Sequence, residues 1–112
     1  MAQPEQMVAV RWAFRQRHYR LTGHALIEAL IEQLSEEDLT AIGSDSDVLE
    51  EYPNRPHGHS KLLLGYARGE PFHLVVNVEN FEEDWAEPMT VVTVYRPEPP
   101  AWRDEQTRGT RR

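Results

Sequence analysis

The stretch "GHALIEALIEQLSEEDL", residues 23–39, decides how the chain folds. Leu26, Ile27, Leu30, Ile31 and Leu34 recur at helical spacing with Glu28, Glu32 and Gln33 between them. That pattern predicts an amphipathic helix from about Gly23 to Leu34, its aliphatic stripe laid on a core. Ser35 then suits an N-cap, and Glu36, Glu37 and Asp38 suit the positive end of a following helix. This second, short helix is expected to reach about Ile42 and stop at Gly43.

Upstream, Pro4 suits a first helical turn, and Val8 and Trp12 lie four residues apart on one face, with Arg11 and Arg15 on the other. An N-terminal helix within residues 1–16 follows. "HYRLT" (His18–Thr22) reads as a short strand or an extended lead-in. Downstream the period changes from helical to alternating: "VLEEY", "KLLLGYA", "FHLVVNV" and "MTVVTVY" are separated by Pro, Gly, Asn or acidic turns. Helices followed by strands predict an α+β domain over residues 17–103, with helices packed on one side of a mainly antiparallel sheet of about four strands. The last strand is closed off by Pro97, Pro99 and Pro100, which cannot donate to a ladder, and this leaves Tyr95 and Arg96 at its lip. The prolines are expected to turn the chain so that Trp102 packs back on the domain. Residues 104–112 contain no apolar side chain and are expected to be a disordered tail.

The 112 residues suffice for one core. No apolar run approaches the roughly 18 residues of a membrane span, and no signal layout opens the chain, so a soluble, cytoplasmic protein is expected. The absence of cysteine excludes disulfides and thiolate zinc sites. The net charge of −7 is segregated: residues 1–24 carry +3, whereas residues 25–53 hold nine acids and no Lys or Arg. An acidic solvated surface is the plain reading, and a basic face for a polyanion requires the fold to gather the arginines.

The segments "HYRLTGHALIEALIEQLSEEDL", "VLEEYPNRPHGHSKLLLGY", "PFHLVVNV" and "TVVTVYRPEPPAW" resemble, in this order and spacing, the bacterial DUF4258 family over about residues 17–103. The family pattern falls on His24, Tyr52, Pro53, Gly58, Ser60, His73, Thr93, Tyr95, Pro97 and Trp102. The resemblance implies a fold similar to RelE, MqsR and barnase-like ribonuclease toxins, and a zinc-finger antitoxin of the MqsA type as partner. Two stretches depart from the pattern: "NRPHGHS", which adds His57 and His59, and the long acidic hairpin "NFEEDWAEP".

If the implied activity holds, cleaving RNA without a metal needs a base for the 2′-hydroxyl, an acid for the leaving oxygen and positive donors at the phosphate. His24, His73 and Tyr95 are the candidate catalytic residues, and Lys61, Arg96, Arg17 and Arg20 the candidate RNA-binding ones. Strand alternation lets His73 and Tyr95 look into one site if their faces coincide. Each has a quieter reading: His24 as a capping or packing residue, His73 as a hydrogen-bonded core histidine, Tyr95 as a buried ring, Lys61 as an edge-strand charge. His57 and His59 lack a third ligand at metal-binding spacing, so neither a metal nor a cofactor is assigned. The other reading is a noncatalytic module that docks a protein partner through the sheet and the stiff "YRPEPPAW" segment.

Overall fold

The structure, a computed structural model, describes residues 4–55, 58–79, 81, 86–98, 104 and 106. Three helices, α1 (Pro4–Arg15), α2 (Gly23–Ile31) and α3 (Glu36–Ser44), precede most of the sheet. The strands are β1 (Tyr19–Leu21), β2 (Asp47–Arg55), β3 (Gly58–Ala67), β4 (Glu70–Asn77) and β5 (Met89–Tyr95). They form one five-stranded sheet in the order β1-β5-β4-β3-β2, antiparallel except for the parallel pair β1–β5. The α+β architecture is as expected, with a fifth strand and a mixed sheet. The fifth strand is "YRL", within the stretch read as a short strand or an extended lead-in, and it pairs in parallel with Met89–Val91.

Val8 and Trp12 do not form the buried face of α1: Val8 is exposed, and Met7, Val10, Ala13 and Phe14 enter the core. Arg11 and Arg15 tie the helix to the α3–β2 turn, on the Ser46 and Ser44 carbonyls at 2.9 and 2.8 Å. The third helix starts as expected: Ser35 accepts from the Asp38 amide and the Asp38 carboxylate accepts from the Ser35 amide, both at 3.0 Å, a reciprocal cap. Its end is different. The helix runs through Gly43 because that glycine is a point of close approach, where a Cβ would lie 2.0 Å from the Phe14 ring. Gly65 does the same in β3, its missing Cβ falling 1.9 Å from the Ile42 carbonyl oxygen. These two glycines let α1, α3 and the sheet pack at contact distance.

The second helix ends at Ile31, short of the expected Leu34. Gln33 takes a left-handed φ of 59°, and the Gln33 and Leu34 amides donate back to the Leu30 and Ala29 carbonyls at 3.1 and 2.8 Å, a Schellman closure without glycine.

Its orientation overturns the expectation of a core-facing aliphatic stripe. Ala25 and Ala29 are buried, whereas Leu26, Ile27, Leu30 and Ile31 face outward. The reason lies in β5, whose outer edge runs on beyond the three-residue β1. There Thr22 bonds Val91 and Val92, and the Glu28 carboxylate takes the Val94 amide at 3.0 Å. Arg96 donates to Glu32 at 2.7 Å. Polar positions of α2 must therefore face the sheet edge, and its large aliphatics are rotated out.

The core lies between helices and sheet: Phe14, Ala29, Leu39 and Ile42 meet Leu63, Phe72, Leu74, Val76, Val91 and Val94. Among the described residues no helix is long and apolar enough to cross a membrane. Trp102 and the tail, apart from Asp104 and Gln106, lie outside the described residues, as do His57, Pro99 and Pro100.

Candidate functional site

The candidate site is built on β5 and begins with a bulge. Thr93 faces Val75 and Val91 faces Val76, so Val92 is an extra residue that inverts the strand's alternation. Met89, Val91 and Val94 all enter the helix-side core, while Thr90, Thr93 and Tyr95 share the opposite face. Each of these three holds a partner. Arg20 of β1 donates from Nε to the Thr90 hydroxyl at 3.1 Å. The Thr93 hydroxyl donates to Glu28 of α2, whose other oxygen lies 3.3 Å from Nε2 of His24. Tyr95 sits directly opposite His73, its hydroxyl 3.3 Å from Nδ1 and the rings edge to face at 5.3 Å.

The sequence-predicted convergence of His73 and Tyr95 is thus present. His73 is fully buried at the base of the pair, and Tyr95 is half-buried above it. His24 is the accessible member, its side chain 69% exposed. Glu28 is fixed by the Val94 amide and the Thr93 hydroxyl, and so orients the imidazole in turn. A histidine oriented by a carboxylate, and a phenol paired with a second histidine, are groups able to accept and donate protons. Arg20, exposed at the head of the row, supplies a cation.

The other candidates are placed elsewhere. Lys61 pairs with Val76, a core residue, so it lies on the helix side of the sheet, away from His73 and Tyr95. It is fully buried, its ammonium 3.1 and 3.2 Å from the two Glu51 oxygens. His59 reaches the same carboxylate at 2.7 Å. Burial pushes the Glu51 carboxyl up, but the His59 and Lys61 bonds and charges outweigh it and hold the group below the usual carboxylate range. The solvated edge-strand reading of Lys61 is therefore corrected: a bulge between Val48 and Glu50 in β2 turns Glu51 inward to meet it. Arg96 bridges Glu32 and Glu70 and lies 4.8 Å above the Phe72 ring, which makes it a clasp between α2, β4 and β5. Arg17 pairs with Glu36 at 3.0 Å. Tyr52 donates to Glu50, and the Arg55 guanidinium covers its ring at 4.2 Å. Among the described residues no three His, Cys, Asp or Glu side chains group to hold a metal.

Glu28 and Thr90 were not singled out by sequence reasoning. A signal for Glu28 existed: His24, Glu28 and Glu32 fall four residues apart, one narrow polar stripe on an otherwise apolar helix. Nothing in the sequence marked Thr90 or the bulge that exposes it.

A family model described as Domain of unknown function (DUF4258) matches residues 21–96, and the chain belongs to that family. The match spans α2, α3 and β2 to β5, and thus every residue of the β5 row except Arg20. No curated protein and no solved structure matches the chain.

Proposed function

We propose that this member of the DUF4258 family is the toxin-like component of a bacterial toxin–antitoxin pair, a metal-independent endoribonuclease of single-stranded RNA with a RelE-like fold and a zinc-finger antitoxin as partner. The observation that carries the reading is the polar row on β5, where the Tyr95–His73 pair lies two residues from Thr93, whose hydroxyl shares the Glu28 carboxylate with the exposed His24. Thr93 and Tyr95 share one face of the strand, roughly 7 Å apart along it.

In this mechanism His24 gives its Nε2 proton to the hydrogen bond with Glu28, and Nδ1 accepts the proton of the ribose 2′-hydroxyl. The 2′-oxygen forms a bond to phosphorus as the bond to the 5′-oxygen breaks. Tyr95, held by His73, donates its hydroxyl proton to that leaving oxygen. The products are a 2′,3′-cyclic phosphate and a 5′-hydroxyl end. Arg20 balances the charge that builds on the phosphate oxygens.

The test is cleavage of a mixed-sequence single-stranded RNA in EDTA. Wild type is expected to cut, a substrate with 2′-deoxy sugars is expected to resist, and His24→Ala and Tyr95→Phe are each expected to lose about 10²- to 10⁴-fold in rate. Absence of cleavage by folded wild type, or full activity in both variants, rejects the proposal.

A further inference from the structure

A further aromatic side chain stands on the face of the sheet that carries the β5 row. In β3 the residues Leu63, Gly65 and Ala67 turn to the helix side, where Gly65 meets Ile42 and the other two join the core. Leu62, Leu64 and Tyr66 therefore share the opposite face. Leu64 stands directly across from His73, and His73 across from Tyr95, so these three make one level through β3, β4 and β5. Tyr66 lies across from Pro71 and begins the next level, at the end of the sheet where β5 finishes with Tyr95.

Leu62 and Leu64 are buried, whereas Tyr66 is 48% exposed. Among the described residues every other Phe, Tyr and Trp is buried or half-buried. Core packing thus accounts for the other rings and leaves half of this one in water. Its position is the second observation. Two strand spacings and one same-face step separate Tyr66 from Tyr95, roughly 10 Å across the sheet and roughly 7 Å along it, so about 12 Å in all. One phosphate group cannot bridge that distance, but a strand of a few nucleotides can. An aromatic ring on a sheet face is a stacking platform for unpaired bases, and it tolerates any sequence because every base has a π-face.

We propose that Tyr66 is a base-stacking residue of the β5 site, taking the unpaired base of a nucleotide a few steps from the phosphate at Tyr95. The inference rests on the single-stranded RNA reading above for its ligand. It adds that this site grips a base by its face without reading its identity, and that it rejects a duplex, whose bases are already stacked on one another.

The test is fluorescence anisotropy of the full chain with labelled, uncleavable single-stranded RNA carrying 2′-O-methyl sugars, beside an oligomer of the same length without bases. Tyr66→Ala is expected to weaken binding of the RNA about 5- to 100-fold, to the same extent for pyrimidine and purine sequences. Tyr66→Phe keeps the ring and is expected to stay within about twofold of wild type. The base-free oligomer is expected to bind wild type and Tyr66→Ala alike. Unchanged RNA binding by Tyr66→Ala overturns the proposal, and so does a loss of equal size with the base-free oligomer, which would mean a backbone contact. A Tyr66→Phe variant as weak as the alanine one assigns the effect to the hydroxyl and overturns it too. So does a Tyr66→Ala variant that fails to fold in urea unfolding, since the ring would then belong to the core. Wild type that binds RNA through Tyr66 but cuts none keeps this inference and rejects the ribonuclease reading. Wild type that cuts RNA with no dependence of binding on Tyr66 does the reverse, and wild type that neither binds nor cuts rejects both.

Discussion

Replacing Glu28 by alanine tests what sets the orientation of α2. One oxygen of this carboxylate accepts the Val94 amide at 3.0 Å and the Thr93 hydroxyl, on a stretch of β5 that β1 does not reach. Val94 is fully buried, so water does not simply replace the lost acceptor. An orphaned buried amide costs about 1–3 kcal/mol, and the lost hydroxyl bond adds about 1 kcal/mol. The pairing with His24 adds little, because that histidine is largely solvated. Glu28→Ala should therefore lose about 2–4 kcal/mol, a large share of the roughly 5–15 kcal/mol that holds a domain together. Glu28→Gln keeps an acceptor at the same place and should lose only about 1 kcal/mol. Urea unfolding followed by circular dichroism separates the two, since a slope of about 2 kcal/mol/M converts the alanine loss into a midpoint lower by roughly 1–2 M. Equal midpoints for the two variants, or an alanine variant within about 0.5 kcal/mol of wild type, would refute the reasoning that this carboxylate pins the helix.

Three further outcomes are expected. Gly65→Ala places a methyl 1.9 Å from the Ile42 carbonyl oxygen and should destabilise by about 1–3 kcal/mol or more through overpacking; a thermal midpoint equal to wild type would contradict the contact. Ser35→Ala removes the side-chain half of the α3 cap and should cost about 1 kcal/mol in urea unfolding, whereas Ser35→Asp should hold most of the stability. Because the Glu51 carboxyl is held below its ordinary value of 4.5, its contribution is present above that pH and lost as pH falls through the lower folded value. Wild type should then lose more stability on acidification than Glu51→Gln, and parallel losses would remove Glu51 from the acid response.

Much of the architecture could be read from local pattern. The Ser35 cap and the four longer strands depend on residues close in sequence or on simple alternation, whereas alternation left the facing of His73 and Tyr95 conditional and the β4–β5 register decides it. What could not be read depends on partners far along the chain. The sequence left β1 between a short strand and an extended lead-in, and pairing with Met89–Val91 decides it. The bulges at Val92 and near Glu50 reverse which side chains face the helices, and strict alternation has no means of placing them. Lys61 moves from an expected solvated edge to a buried ion pair for that reason.

The α2 reversal is the most instructive case. Two apolar arcs compete on this helix, one of alanines and one of leucines and isoleucines. Bulk alone favours the larger arc as the buried one. The demand of the β5 edge for Glu28, and of Arg96 for Glu32, decides for the alanines. Small side chains also let the helix lie close to the strand. The same stripe of His24, Glu28 and Glu32 thus fixes the fold and brings His24 beside the β5 row. Glycines were ambiguous in a similar way: Gly43 looked like a helix stop and is a packing contact against Phe14.

The most direct test of the proposed site is a two-dimensional amide NMR titration of the labelled protein with a single-stranded RNA made uncleavable by 2′-O-methyl sugars. The proposal predicts saturable shifts at Arg20, His24, Thr93 and Tyr95, weakening as salt is raised. Shifts confined to residues away from β5 and α2, or no shifts at all, would contradict it.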